Sequence, residues 1–228
     1  RGILASATVI NSGNAGDLNI VTPRLTIEEN SAISSSTFGA GNAGDLSIET
    51  RQLVAIENAT ITASTGLPNL PFILGTPSTG KGGNLIINAS ESIELSNRAG
   101  LLSQTSGEGD GGNVTINTGR LIIQSNRAGA STAVTSSGKG GDLTVNARES
   151  IEINGAFTGA FSTTEKAILL IVGSREEQGR FSGLATATQG SGDAGNLTIN
   201  TPRLIARDGA GAITSSIGIG AGGNLTVN

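Results

Sequence analysis

The residues best equipped for chemistry in this chain are its carboxylates. The sequence holds 18 Asp and Glu against 14 Lys and Arg, with no His and no Cys. Without imidazole or thiol, the common general base and the thiolate nucleophile are missing. Glycoside hydrolysis needs only two carboxylates facing each other across a cleft, so acids alone would suffice for that class. The candidates are Glu28, Glu29, Glu49, Glu57, Glu91, Glu94, Glu149, Glu152 and Asp208. Glu91 and Glu149 occupy matching places in Ala89-Ser90-Glu91-Ser92-Ile93 and Ala147-Arg148-Glu149-Ser150-Ile151. They are two repeats apart, roughly 10 Å at the spacing of stacked strands. That distance suits neither a tight pair nor a shared proton, and both read as exposed turn residues. No catalytic residue is assigned, and the chain is expected not to be an enzyme.

Oxygen ligands for a cation are the next chemistry to weigh. Gly-Gly-Asn-Leu and Gly-Asp-Leu motifs resemble glycine-aspartate calcium repeats, but those bring carboxylates together with a nine-residue period. Here the Asx recurs every 28 or 29 residues in most steps and is Asn in four of seven copies, which reads as corner chemistry. Gly107-Glu108-Gly109-Asp110 is acidic and flexible. No metal site and no cofactor follow from these patterns. Thr60-x-Thr62 and Thr186-x-Thr188 have the form of water-ordering threonine pairs, yet the motif fails to recur at Ser34-Ser35-Ser36, Gln104-Thr105-Ser106 or Thr214-Ser215-Ser216. Asn58-Ala59-Thr60, Asn113-Val114-Thr115 and Asn196-Leu197-Thr198 match glycosylation sequons, the last two as by-products of the repeat.

The repeat is what positions all of these residues. A small-Gly-Asx-aliphatic-x-aliphatic pattern returns seven times, clearest in Gly41-Asn42-Ala43-Gly44-Asp45-Leu46-Ser47-Ile48. Its second glycine is Gly16, Gly44, Gly83, Gly112, Gly141, Gly195 and Gly223, with steps of 28, 39, 29, 29, 54 and 28 residues. A fixed period in this range points to a repeat architecture. Within each unit, Leu18-x-Ile20 and Leu25-x-Ile27 alternate, and Ile33 leads a Ser/Thr run. Period-2 alternation broken by Gly, Asn and Pro is strand chemistry. The expectation is an all-β, single-stranded parallel β-helix: about 28–29 residues per coil, three short strands per coil and two loop insertions. A propeller blade would need four strands and a longer unit.

Stacking then dictates columns of like residues. Leu18, Leu46, Leu85, Val114, Leu143, Leu197 and Leu225 should form one inward ladder, and Ile20, Ile48, Ile87, Ile116, Val145, Ile199 and Val227 a second. Asn88, Asn117, Asn146, Asn200 and Asn228 should form an amide ladder. The glycines supply either a positive φ or a close approach at a tight corner. Two flavours of repeat follow the first strand: Thr-x-Arg-Leu (22–25, 118–121, 201–204), with the variant Thr-Arg-Gln-Leu at 50–53, and Ala-x-Glu-Ser-Ile (89–93, 147–151).

Two insertions break the period, at 66–78 and 155–181, within one array spanning 1–228. The first holds three of the five prolines. The second contains Ser162-x-x-Glu165 before the apolar run Ala167–Val172, which fits a capped helix or a strand equally well. The step of 54 also admits a degenerate extra rung, although Gly183-Leu184 to Gly192 resumes the pattern of Gly100-Leu101 to Gly109. Phe72, Phe157, Phe161 and Phe181 lie in the insertions and are the candidate binding residues, since loops on a rigid scaffold carry recognition more often than the scaffold does.

Composition excludes several classes. Gly is 35 of 228 residues, there is no Met, Trp or Tyr, and Phe numbers five, so the core must be thin and aliphatic. A net charge of −4 with no basic face argues against nucleic acid. No apolar run approaches the length of a membrane span. The chain begins at Arg1 and stops midway through a repeat at Asn228, so it is expected to be an internal piece of a longer protein.

Gly-Asn-Ala-Gly-Asp-Leu-Ser-Ile (41–48), Gly-Gly-Asn-Val-Thr-Ile-Asn-Thr-Gly-Arg-Leu (111–121) and Asn-Ala-Ser-Glu-Ser-Ile-Glu-Leu-Ser (88–96) resemble the repeats of filamentous-haemagglutinin-type exoproteins. The resemblance covers nearly all the chain outside the insertions. It implies a right-handed parallel β-helix, exported across a Gram-negative outer membrane by a two-partner secretion transporter, and a secreted or cell-surface adhesin that meets a host, glycan or matrix surface. Repeats of this kind form the shaft and carry no catalytic residues to transfer. Two other classes stand beside it: a carbohydrate-active β-helix enzyme, a lyase or hydrolase, and a structural module of a surface layer or matrix.

Overall fold

The computed structural model describes residues 2–5, 13–66, 79–125, 127–155 and 182–228. Among these residues all regular structure is β-strand, and every strand pairing is parallel. Seven strands form one sheet, in the order β1 (Gly2–Leu4), β4 (Ala32–Ser34), β6 (Thr60–Thr62), β8 (Gly100–Thr105), β10 (Gly129–Val134), β12 (Gly183–Thr188) and β15 (Gly211–Ser216). Nine form the other. Its path runs β16 (Leu225–Val227), β13 (Leu197–Asn200), β11 (Leu143–Asn154), β9 (Val114–Gln124), β7 (Leu85–Ser96), β5 (Leu46–Ala55) and β2 (Leu18–Val21). Beside this path, β3 (Arg24–Ile27) pairs with β5, and β14 (Leu204–Arg207) pairs with β11. The chain alternates between the sheets, so each strand pairs with its counterpart one repeat away.

The register follows the sequence columns. Leu18 pairs with Leu46, Leu46 with Leu85, Leu85 with Val114, Val114 with Leu143, Leu143 with Leu197 and Leu197 with Leu225. The Ile20 column runs in step with it to Val227. Pairing thus passes directly from Leu46 to Leu85 and from Leu143 to Leu197. These side chains meet Ile33, Ile61, Leu101, Ala130 and Leu184 of the seven-stranded sheet in one core. From Leu46 to Leu197 the first column is completely buried, and burying each Leu or Ile is worth about 1.5–3 kcal/mol. A slip of one residue would turn both columns to the outside, so burial fixes the register.

Three short strands per repeat occur only in the first repeat (β2, β3, β4) and the sixth (β13, β14, β15). In the four others the expected first and second strands run together as one strand of 10 to 12 residues. The reason is local. The first and sixth repeats carry Pro23 and Pro202 at the bend, and proline has no N–H for the ladder. Arg51 and Gly119 fill that place in the second and fourth repeats, and Arg51 donates its N–H to the Pro23 carbonyl at 3.1 Å. The bend itself is held by the preceding threonine. The Oγ1 of Thr22, Thr50, Thr118 and Thr201 donates to the carbonyl of Arg24, Gln52, Arg120 and Arg203, at 3.0–3.2 Å. The Ala-x-Glu-Ser flavour has one more residue at the same place. The register accordingly shifts between Ala89 and Ser92 and between Ala147 and Ser150, a β-bulge in each case.

Candidate functional site

Two corners frame the long strands, and the side chains singled out in the sequence lie mostly on them. At the first corner the Gly column and the Asx column run side by side. A Cβ on Gly112 would fall on the carbonyl of Gly83, and the same collision repeats from Gly141 to Gly112, Gly195 to Gly141 and Gly223 to Gly195. None of the seven glycines has a positive φ, so close backbone approach explains the six from Gly44 to Gly223 and unusual dihedrals explain none; Gly16, the first, has nothing within 4 Å. Their carbonyls are used. Ser103, Thr132, Thr186 and Thr214 of the seven-stranded sheet, and Ser35 just past β4, donate hydroxyls to the carbonyls of Gly83, Gly141, Gly195, Gly223 and Gly16 at 2.5–2.9 Å. This bridge satisfies corner carbonyls inside the core, where an unpaired one would cost about 1–3 kcal/mol.

The Asx side chains face the other way. The backbone N–H of Asp45 donates to Oδ1 of Asp17, and the pattern continues through Asn84, Asn113, Asp142, Asn196 and Asn224 at 2.7–3.1 Å. One carboxylate or amide oxygen per repeat therefore serves the next repeat's backbone. Asn and Asp serve equally, since either supplies the oxygen. A shorter ladder lies three residues upstream, where Asn14, Asn42, Asp110 and Asp193 accept the N–H of Asn42, Lys81, Lys139 and Ala221. Asp110 of the acidic Gly107–Asp110 stretch also meets Lys81 at 3.7 Å.

Glu91 and Glu149 stand at the two bulges, two repeats apart, each beside its own arginine. Glu91 accepts from Gln52 Nε2 at 2.9 Å and lies 3.8 Å from Arg51, while Glu149 lies 3.7 Å from Arg120. All four ion-pair side chains are exposed, so each pair contributes little. The bulge that accommodates the longer repeat flavour places each Glu against the Arg of the shorter flavour. The junctions between the second and third repeats and between the fourth and fifth are thus charge-complementary.

The second corner was not visible in the sequence. Its residues hold left-handed dihedrals mostly without glycine, Gly209 (φ 76°) being the exception: Glu29 and Asn30 (φ 54° and 60°), Glu57 and Asn58 (56° and 62°), and Asn97 and Arg98 (50° and 69°). Ser125, Arg127 and Asp208 continue the series. The first three pairs line an open concavity of about 660 Å³. Asn, Asp and Gly209 tolerate this region and are the hints that the sequence offers; Glu, Arg and Ser give none.

The expected amide ladder is complete. Asn117 donates Nδ2–H to Asn88 Oδ1 at 2.8 Å, Asn146 to Asn117 and Asn200 to Asn146 at 2.7 Å, and Asn228 to Asn200 at 2.8 Å. Thr186 and Thr188 are fully buried and point into the core, so that pair cannot meet bulk water. Phe72, Phe157, Phe161 and Phe181, and the segment from Ser162 to Val172, lie outside the described residues. Among the described residues no helix is long and apolar enough to cross a membrane. No protein-family model matches the chain, and neither do curated proteins or solved structures.

Proposed function

We propose that the chain is a stretch of right-handed, single-stranded parallel β-helix serving as the shaft of a secreted or cell-surface adhesin, without catalysis. The observation that carries this reading is the unbroken register of like residues through seven repeats, with strands alternating between two parallel sheets. Such an array grows by adding repeats, each held by its neighbours, which is what a structure that holds a distant binding region away from a cell requires. Parallel crossovers are overwhelmingly right-handed, in keeping with the exoprotein resemblance. By the same resemblance the partner is a two-partner secretion transporter in a Gram-negative outer membrane. Glu91 and Glu149 are each held at the exposed surface by an arginine of their own, which favours this reading over a carbohydrate-active enzyme.

The test is surface display. An antibody raised against this segment should label intact cells of the source organism, the label should vanish after external protease, and deletion of the transporter should abolish it. Labelling that needs permeabilised cells, or survives loss of the transporter, would overturn the proposal.

A further inference from the structure

The outward face of the long strands carries an order that the core does not demand. Between the inward columns, the fourth to seventh repeats present Thr115 and Asn117, Thr144 and Asn146, Thr198 and Asn200, and Thr226 and Asn228. Thr115 pairs in register with Thr144, Thr144 with Thr198, and Thr198 with Thr226. The first three are half-buried and Thr226 is exposed. Burial dictates Val114 and Ile116 but leaves Thr115 and Asn117 free. β-Propensity accounts for the threonines and disfavours the asparagines. The same outward places in earlier repeats hold Asn19 and Val21, Ser47 and Glu49, and Ile86 and Asn88, so the fold tolerates other side chains there.

Two rows of hydrogen-bonding groups result, stepping by about 4.8 Å from strand to strand. A primary amide has two N–H donors and two lone pairs. In Asn117, Asn146 and Asn200 the ladder consumes one of each. One donor and one acceptor per repeat therefore remain, held in a fixed plane, beside a threonine hydroxyl that can do either. The two rows contain no charged side chain from Thr115 to Asn228.

We infer that this face binds a neutral, extended polysaccharide laid across β9, β11, β13 and β16, one sugar unit to each repeat. The inference names a ligand class for the adhesin reading and rests on that reading for its biological setting. Uncharged rows complement an uncharged polymer, the exposed charges Asp142, Arg120, Arg148 and Glu149 lying outside them. The fixed donor and acceptor of each amide match a pair of neighbouring sugar hydroxyls, and an extended chain of sugar units advances by close to the strand spacing. Each contact is weak, so affinity comes from four repeats acting in series on one chain. Ice also offers a neutral periodic surface. Only the threonine row carries the methyl groups that a water-ordering plane would need, and the amide row favours the sugar.

The experiment is retention of the whole chain on cellulose and on chitin, with glucose and N-acetylglucosamine as monomer competitors. Retention on at least one polymer that the monomers do not compete supports the inference, provided that Thr144→Lys, at the centre of the row, lowers it by about tenfold or more. The isosteric triple variant Thr115→Val, Thr144→Val, Thr198→Val should lower it comparably while circular dichroism and melting stay unchanged. Thr62→Lys, on the other sheet, should leave it intact. Should the row variants fail to fold, amide hydrogen exchange on the unaltered chain with and without cellohexaose gives the answer, with new protection expected at 114–117, 143–146 and 197–200. No retention on either polymer, retention indifferent to both row variants, protection elsewhere, or ice-growth inhibition without polymer retention would each overturn it. Surface display of the protein is measured independently, so either proposal can fail alone.

Discussion

The two corners of the repeat solve the same problem in opposite ways. At the Gly–Asx corner the backbone dihedrals are ordinary and space is what is scarce: the carbonyl of one glycine occupies the place where the next would carry a Cβ. At the second corner space is open enough to leave a concavity, and the dihedrals are what is unusual, yet Glu, Asn and Arg hold them. Glycine is thus used where neighbouring repeats crowd, and is mostly absent where the chain turns left-handed. A repeat protein feels crowding at every level, because each corner is stacked on another. A left-handed residue costs about 1–2 kcal/mol once, within its own repeat.

The sharpest way to break this contrast is Gly112→Ala. Its Cβ would strike the backbone of Gly83 and Gly82, which cannot move without disturbing the repeats on either side. Gly83, Gly112 and Ser103, whose hydroxyl bonds the Gly83 carbonyl, are all part of that corner. We expect a loss of about 3 kcal/mol or more in urea denaturation, in the range of overpacked cores. Gly16→Ala provides the control. The same motif position has nothing within 4 Å of an added Cβ, so its cost should be small. Equal losses for the two variants would show that dihedral freedom, and not crowding, selects glycine at this corner.

The Asx ladder at the same corner should respond to chemistry in place of size. Asp142 Oδ1 accepts the N–H of Asn196 at 2.7 Å and its Nδ2–H at 3.2 Å. Asp142→Ala removes the acceptor and should cost about 1 kcal/mol, read as a shift of the urea midpoint. Asp142→Asn keeps an amide oxygen in place and should cost much less. If the asparagine variant were as unstable as the alanine one, the carboxylate charge would matter, and the interchange of Asn and Asp along the column would need another cause.

Much of this was legible beforehand, and the reasons are specific. The columns from Leu18 to Leu225 and from Asn88 to Asn228 could be read because parallel in-register pairing sets like residues on like. The Asx column was legible as a corner, but its role as a backbone acceptor was not, since that bond crosses from one repeat to the next. The fusion of two strands into β5, β7, β9 and β11 turns on whether a single bend residue is proline. The hydroxyl bridges from Ser103 and Thr132 to corner glycines join residues of different sheets. Threonine pairs draw the eye at Thr60-x-Thr62 and Thr186-x-Thr188, whereas the longer outward row begins at Thr115. Periodicity marks the inward residues strongly because burial constrains them, and marks the outward ones only where something besides the core does.

The second corner gives the smallest expected effect and the one with the opposite sign. Glu57 sits at φ 56° and is exposed. Its left-handed conformation costs about 1–2 kcal/mol relative to a permitted one. Glycine would remove that cost and would lose about 0.5–1 kcal/mol through the freedom it gains when unfolded. Glu57→Gly should therefore stabilise the chain by roughly 0.5 kcal/mol, the difference of these two terms. At the first corner, replacing glycine destabilises; at the second, introducing glycine stabilises. A urea midpoint that rises for Glu57→Gly and falls for Gly112→Ala would separate dihedral strain from crowding within one repeat. A fall for Glu57→Gly would mean that the glutamate side chain itself holds this corner, and the concavity it lines with Asn58 and Asn97 would then be a built feature of the surface and not a by-product of the turn.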